Sequence, residues 1–147
     1  MLEIDPHAER VLHLVRQWVA KAENDLQNAT HTLKLGEDGP LDTVCFHAQQ
    51  CVEKYIKALL CFHGIDFYRT HNITTLLALL PVRLQPELSA EEQARLNDYA
   101  VTVRYPDDYE PVSLVEAERA VQVARRVRTQ VRRRLPRSGK ASLTKAP

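Results

Sequence analysis

Lysine and glutamine side chains recur on one side of a segment that reads as a helix, residues 41–63. Gln50, Lys54 and Lys57 follow one another at helical spacing, and His47 lies one turn before Gln50. Ammonium and amide groups in this arrangement can bind a phosphate or the acidic side chains of a partner. The spacing also fits a helix face that is exposed to solvent, so both interpretations stay open.

A second group with chemical potential lies in the proline-containing segment 104–111. Arg104 can bind phosphate through two parallel hydrogen bonds, and Tyr105 and Tyr109 can stack on bases. Two prolines restrict the backbone here, and rigid polar loops often carry function. The alternative is that Arg104 pairs with a neighbouring aspartate while the tyrosines pack against helix ends.

The charge is divided unevenly along the chain. Residues 1–118 carry ten basic and 19 acidic side chains, whereas residues 119–147 carry ten basic side chains and no acidic one. Seven of these ten are arginines of the last predicted helix, namely Arg119, Arg125, Arg126, Arg128, Arg132, Arg133 and Arg134. Such a row suits a nucleic-acid backbone. It also fits packing over the acidic body, docking of an acidic partner, or a solvated face.

Most signatures of catalysis are missing from the sequence. No Gly-rich phosphate loop, H-E-x-x-H motif or serine nucleophile stands out. His47 and Cys51 share a helix face, but no carboxylate completes a metal site, so we expect neither a metal nor a cofactor. The three cysteines, at 45, 51 and 61, are too far apart along one helix to form a disulfide, and we expect buried free thiols.

The apolar residues recur at helical spacing through most of the chain. Helices must therefore position the lysine, glutamine and arginine side chains described above. Gly is scarce, aromatic residues are few, and helix-forming residues are abundant, which favours an all-α fold. The apolar stripes and capping signals predict five helices, at about residues 6–35, 41–63, 73–80, 90–103 and 113–135. We expect one domain over residues 1–135 and a disordered basic tail over 136–147. No apolar stretch is long enough for a membrane span and no secretory signal is seen, so the expected location is the cytoplasm.

Several of these segments, taken in order, resemble the HEPN family (higher eukaryotes and prokaryotes nucleotide-binding domain). The resemblance covers about residues 12–130. The segments are Trp18-x-x-x-Ala22-x-x-Asp25-Leu26-x-x-Ala29, Phe46-His-Ala-Gln-Gln-x-x-Glu53-Lys54-x-x-Lys57-Ala-Leu-Leu60, His63-Gly-Ile65, Arg69-Thr-His71-x-Ile73-x-x-Leu76-Leu77 and Arg104-Tyr-Pro106. The second of these is the most specific.

The resemblance implies an up-and-down antiparallel bundle of about five helices that forms a homodimer. It also implies association with a minimal nucleotidyltransferase, often as a toxin–antitoxin pair. Many relatives are metal-independent ribonucleases with an R-x(4–6)-H motif, in which the His acts as base and the Arg steadies the phosphate. Here the matching site is Arg104-x4-Tyr109, and a phenol is a poor base at pH 7.

The departure at Tyr109 favours a non-catalytic binding and partner module, with nucleotide or RNA phosphate as the ligand. The expected ligand-binding residues are Lys54, Lys57, His71, Arg104, Tyr105 and Tyr109. A ribonuclease toxin is the alternative, and it requires Arg104 and Tyr109, or His71 brought to Arg104 by the fold. A purely structural helical dimer is a third possibility.

Overall fold

The computed structural model describes residues 5–101, 106–108 and 110–136, and this part of the chain contains five α-helices and no strand. The helices are α1 (Pro6–Leu33), α2 (Leu41–Phe62), α3 (Ile73–Ala78), α4 (Ala90–Tyr99) and α5 (Leu114–Arg134). The predicted all-α class is confirmed. Arg104, Tyr105, Tyr109 and the tail from residue 137 lie outside the described residues, so the predictions made for them stay predictions.

Side-chain pairs show the relative directions of the three long helices. Between α1 and α2, Asp25 contacts His47 whereas Glu23 contacts Tyr55, so the numbers rise on one helix as they fall on the other. Between α1 and α5, Thr30 contacts Arg125 and Glu23 contacts Arg128, which is again antiparallel. Helix α1 is therefore antiparallel to both α2 and α5, as in the predicted antiparallel bundle, and α2 and α5 run parallel to each other.

Helix α2 lies at the centre of the bundle. It packs against each of the four other helices, and 13 of its 22 residues are buried. The buried set includes the polar residues Gln49, Glu53 and Lys57, which lie outside its apolar stripe. A helix that is covered on several sides buries even the positions that a single-stripe pattern assigns to solvent.

The helix ends follow their capping chemistry, with some shifts from the predicted bounds. Asp5 caps α1 next to Pro6, and Ser89 and Glu92 form the expected capping box of α4. Helix α1 ends at Leu33 rather than at 35, since the chain turns into a 3₁₀ segment that begins at Gly36 with φ of 66°. Helix α4 ends at Tyr99, four residues before its predicted end.

The second expected capping box, at the start of α5, is only half formed. The Ser113 hydroxyl accepts a hydrogen bond from the Glu116 amide, as a cap should. The Glu116 carboxylate instead accepts a hydrogen bond from the Tyr99 hydroxyl at 2.5 Å. The carboxylate thus ties the end of α4 to the start of α5 on either side of segment 102–109.

The cysteines are free thiols on α2, as expected. Cys45 and Cys51 are buried, whereas Cys61 is only partly buried. Burial, helped by the nearby charge of Glu116, raises the pKa of the Cys45 thiol to about 12. Burial also raises the pKa of Cys51 and Cys61, so all three thiols are protonated at neutral pH.

Among the described helices, none combines the length and apolarity needed to cross a bilayer.

Candidate functional site

The polar side of α2 is divided into two hydrogen-bonded clusters, and each is built around one carboxylate. The first cluster is centred on Asp25 of α1, whose side chain is 9% exposed. His47 Nδ1 lies 2.8 Å from one Asp25 oxygen, and the Lys54 ammonium donates to the other. Asp25 therefore holds two of the α2 side chains that the sequence pattern assigned to an open face.

The second cluster is centred on Glu53, whose side chain is 3% exposed. Its Oε1 lies 2.9 Å from Nδ1 of His71 and accepts a hydrogen bond from the Gln49 amide at 3.2 Å. Its Oε2 accepts a hydrogen bond from the Lys57 ammonium at 2.9 Å. The buried carboxylate is thus fully engaged by partners from α2 and from the loop before α3.

Two aromatic rings complete the surroundings of Lys57. Its Nζ lies 5.5 Å from the centroid of the Trp18 ring and 5.7 Å from that of Phe67. Both distances are within the range of a cation–π contact. Trp18 comes from α1 and Phe67 from the loop after α2, so the buried ion pair Lys57–Glu53 joins three segments of the chain.

Both lysines are paired with carboxylates in this structure, and their predicted role in ligand binding stays a prediction. Lys57 is 6% exposed and paired, so its ammonium is part of the core and is not available to a ligand in this conformation. Lys54 keeps 21% of its side chain exposed but is paired with Asp25. The polar side of α2 is therefore neither a solvent-exposed face nor an open row of cations, because α1 and the loop after α2 cover it.

His71 is the predicted residue that the structure leaves open. Its side chain is 69% exposed, although its Nδ1 is bound to the buried Glu53 carboxylate. A carboxylate only accepts hydrogen bonds, so Nδ1 must carry the hydrogen. In the neutral ring this leaves Nε2 as an unprotonated acceptor, and in the charged ring it leaves Nε2 as a donor. From this fixed position the charged ring can donate a hydrogen bond to a phosphate, and the neutral ring can accept one from a hydroxyl group.

The end of α4 lies beside this histidine. The Asn97 side chain accepts a hydrogen bond from the Ile73 amide at 2.7 Å, and Ile73 is two residues after His71. Asn97 also donates to the Thr74 hydroxyl. The segment with Arg104, Tyr105 and Tyr109 begins a few residues beyond this contact, although those three residues lie outside the described part.

Several arginines of α5 are bound within the fold, as one of the predicted alternatives requires. Arg128 and Arg132 both donate to Glu23 of α1, at distances of 2.8–2.9 Å. Arg126 pairs with Glu92 of α4. In the described part of the chain, Arg119, Arg125, Arg133 and Arg134 make no ion pair, so the acidic body neutralises only part of the row.

Glu23 is the acceptor that joins α1, α2 and α5. Burial alone would raise the pKa of its carboxyl, but hydrogen bonds from Arg128 and Tyr55 and the charges of both arginines outweigh it. The net effect is a pKa below the ordinary value of 4.5. Glu23 is therefore ionised at neutral pH and has a structural role.

Sequence reasoning missed the two carboxylates and part of the exposed loop. In the sequence, Asp25 and Glu53 stand only as positions of the family pattern, and nothing in the spacing indicates that they orient His47 and His71. Tyr68, which is 66% exposed, and the exposed Arg69 precede His71 and were not considered as ligand contacts. Over the described residues, no group of three or more His, Cys, Asp or Glu side chains has the geometry of a metal site.

Comparison with known proteins gives one family. Residues 15–134 match the model of the HEPN domain. A protein from Methanocaldococcus jannaschii named "Putative toxin MJ1304" is 33% identical over 100 residues, and the match covers 63% of each chain. The chain thus spans less than two thirds of that relative.

Two solved structures share the fold. TT1696 from Thermus thermophilus superimposes with a TM-score of 0.66 and 29% identity, over 82% of this chain and 98% of that one. ST0689, described as an archaeal HEPN homologue, gives a TM-score of 0.64 and 27% identity, over 82% and 96% of the two chains.

Proposed function

The chain belongs to the HEPN domain family, and we propose that it is a non-catalytic binding and partner module of that family. Its ligand is the phosphate of a nucleotide or RNA, bound at the end of the bundle where His71 is exposed. Its protein partner is a minimal nucleotidyltransferase, and two copies of the chain form a homodimer.

The observation that carries the ligand proposal is the arrangement of His71 on Glu53. Holding an exposed imidazole in one orientation costs conformational entropy. Here the orientation is fixed by a buried carboxylate, Glu53, which also accepts hydrogen bonds from Gln49 and Lys57. Such support is common where a side chain must meet a ligand in one orientation. His71 therefore replaces the two lysines as the first ligand contact on this side of the bundle.

Arg104 is the proposed second contact, with Tyr105 and Tyr109 beside it. The bond between Asn97 and Ile73 brings the end of α4 to the His71 loop, which supports a common site. A guanidinium group suits a phosphate because it donates two parallel hydrogen bonds. The absence of a histidine from position 109 is the reason for proposing binding rather than cleavage.

The partner proposal rests on the family resemblance and on those arginines of α5 that pair with no described carboxylate. These are Arg119, Arg125, Arg133 and Arg134, of which Arg119 and Arg133 also make no side-chain hydrogen bond within the described part of the chain. Exposed positive groups attract acidic surfaces over several ångströms and speed their association. We assign them to docking, while the Glu23-bound arginines hold α5 in place.

Calorimetry at low salt tests the ligand proposal, with ATP and a short single-stranded oligoribonucleotide as separate probes. The wild type should bind at least one probe, and His71→Ala and Arg104→Ala should each weaken binding about tenfold or more. His31→Ala is the matched control, since His31 is an exposed histidine at the end of α1. If neither probe binds the wild type, the ligand proposal is wrong.

The partner proposal is tested with the reading frame next to this one. If it encodes a small nucleotidyltransferase, the two tagged proteins should co-purify in a fixed ratio after co-expression. Exchanging Arg119 and Arg133 for Gln should slow association without lowering the thermal stability of the chain. A neighbouring nucleotidyltransferase that never co-purifies would argue against the module.

A metal-independent ribonuclease is the second candidate, and the His71–Glu53 pair favours it together with the toxin name of one relative. In that reaction Nε2 of His71 takes the 2′-hydroxyl proton as the O2′–P bond forms. The P–O5′ bond breaks, the 5′-oxygen takes a proton from water, and a 2′,3′-cyclic phosphate is left. Cleavage of RNA in EDTA by the pure chain, lost in both His71→Ala and Arg104→Ala, would establish this candidate instead.

A further inference from the structure

The loop between α2 and α3 has two exposed side chains that are not part of the site proposed at His71. Tyr68 is 66% exposed, and Arg69 next to it is exposed as well. His71 follows after one residue, so three groups that bind nucleic acids occur within four positions. The exposed Tyr68 ring is open to a stacking partner, and stacking on it would bury apolar surface.

The loop that presents these groups is anchored from below. Phe67 packs toward the core, with its ring centroid 6.3 Å from that of Trp18 and close to the Lys57 ammonium. At the other end, the His71 carbonyl oxygen accepts a hydrogen bond from the buried Gln49 side chain at 3.1 Å. The segment from Phe67 to His71 is therefore held at both ends, and only its outward side chains are free.

The Arg69 guanidinium is available to bind a ligand. It forms no ion pair with any described residue, although the exposed Asp66 lies in the same loop. A guanidinium beside a phenol ring offers one group for a phosphate and one for the face of a base. The negative charge of Asp66 reduces the nonspecific electrostatic attraction of the loop for anions. An anionic ligand therefore has to be bound through specific contacts.

We propose that Tyr68 and Arg69 extend the His71 site into a platform for single-stranded RNA, with Tyr68 stacked on a base and Arg69 on the adjoining phosphate. The inference rests on the proposed function, because it places the RNA backbone at His71. It makes the proposed function more specific, because the ligand is single-stranded RNA rather than a mononucleotide.

The exposure of the platform favours a single strand over the other phosphate ligands. A mononucleotide site normally encloses most of its ligand in a concavity, whereas Tyr68 and His71 keep about two thirds of their surface open. A duplex keeps its bases stacked on one another, so the Tyr68 ring would have no base to receive. Single-stranded RNA fits an open surface that combines an aromatic ring with cations.

Fluorescence anisotropy of a labelled ten-nucleotide RNA tests the platform at low salt. We expect Tyr68→Ala to weaken binding about tenfold and Tyr68→Phe to preserve it, since the phenylalanine ring still stacks. Arg69→Gln should weaken binding several-fold and reduce the slope of log affinity against log salt by about one phosphate contact. Arg10→Gln is the matched control, because it removes one exposed positive charge from the start of α1.

The possible outcomes separate this inference from the proposed function. If RNA binds and depends on His71 but not on Tyr68 or Arg69, the platform is wrong while the proposed site stands. If ATP binds and RNA does not, the strand as ligand is wrong and nucleotide binding stands. If Arg10→Gln and Arg69→Gln weaken binding equally, the effect is general electrostatic attraction and the platform is again wrong.

Discussion

His71 Nδ1 lies 2.9 Å from Oε1 of Glu53, and the two side chains differ sharply in exposure, at 69% and 3%. The pair thus connects the surface to the core through one hydrogen bond. Because Lys57 holds the other oxygen of Glu53, any change at this carboxylate acts on both the stability of the bundle and the orientation of the histidine.

Glu53→Gln should destabilise the fold. It removes the buried negative charge and leaves the Lys57 ammonium without its counter-ion, a change that costs about 3 kcal/mol in buried pairs. Urea unfolding at pH 7 measures this loss. Glu91→Gln is the control, because Glu91 forms an ion pair of the same i,i+4 spacing with Arg95 but is 75% exposed, and such pairs contribute about 0.5 kcal/mol or less. Equal effects of the two substitutions would contradict the buried role of Glu53.

Glu23 should make the stability depend on pH in the acid range. Its pKa in the folded protein lies below the ordinary value of 4.5, so its contribution is complete above that pH and is lost as the pH falls through the lowered pKa. In Glu23→Gln the free energy of unfolding should be lower at pH 7, and it should change less between pH 5 and pH 3 than in the wild type. Parallel curves for the two proteins would show that Glu23 does not contribute in this way.

The arginines of α5 should divide into two groups by their effect on stability. Arg128→Gln breaks two hydrogen bonds to Glu23 and should lower the free energy of unfolding by about 1 kcal/mol. Arg119→Gln should leave it unchanged, since Arg119 has no ion pair among the described residues. Thermal unfolding followed by circular dichroism makes the comparison, and a loss from Arg119→Gln as large as that from Arg128→Gln would contradict this division.

The thiols should react in the order of their exposure. At pH 8, Cys61 should react slowly with a disulfide reagent, while Cys45, with its pKa of about 12, and the buried Cys51 should stay protected. All three should react at once in guanidinium chloride. Rapid titration of all three thiols in the native protein would show that α2 is not the protected centre of the bundle.

The sequence predicted the helices well because their signals are local. Apolar spacing and the caps at Asp5 and Ser89 placed the helix starts to within about one residue. The late end predicted for α4 has a physical reason, since the apolar pattern continues past Tyr99 while the backbone already turns there. Periodicity reports which side is apolar and does not report where hydrogen bonding stops.

The two polar clusters, around Asp25 and Glu53, could not be predicted from helical periodicity. Gln49, Glu53 and Lys57 fall outside the main stripe of α2, and a helical pattern assigns such positions to solvent. Their burial depends on Trp18 from α1 and on the loop with Phe67 and His71, which are distant in sequence. His71 itself was named only through the family resemblance, and its carboxylate partner needed the folded chain.

The most direct test of the proposed function is the imidazole nitrogen spectrum of His71 during titration with the oligoribonucleotide. In the free protein we expect the neutral form of the His71 ring to carry its hydrogen on Nδ1 and to leave Nε2 bare, as the bond to Glu53 requires. Adding RNA should shift the Nε2 resonance of His71 and leave that of His31 unchanged. A His71 resonance that stays in place while RNA binds, or a free ring with its hydrogen on Nε2, would contradict the proposed site.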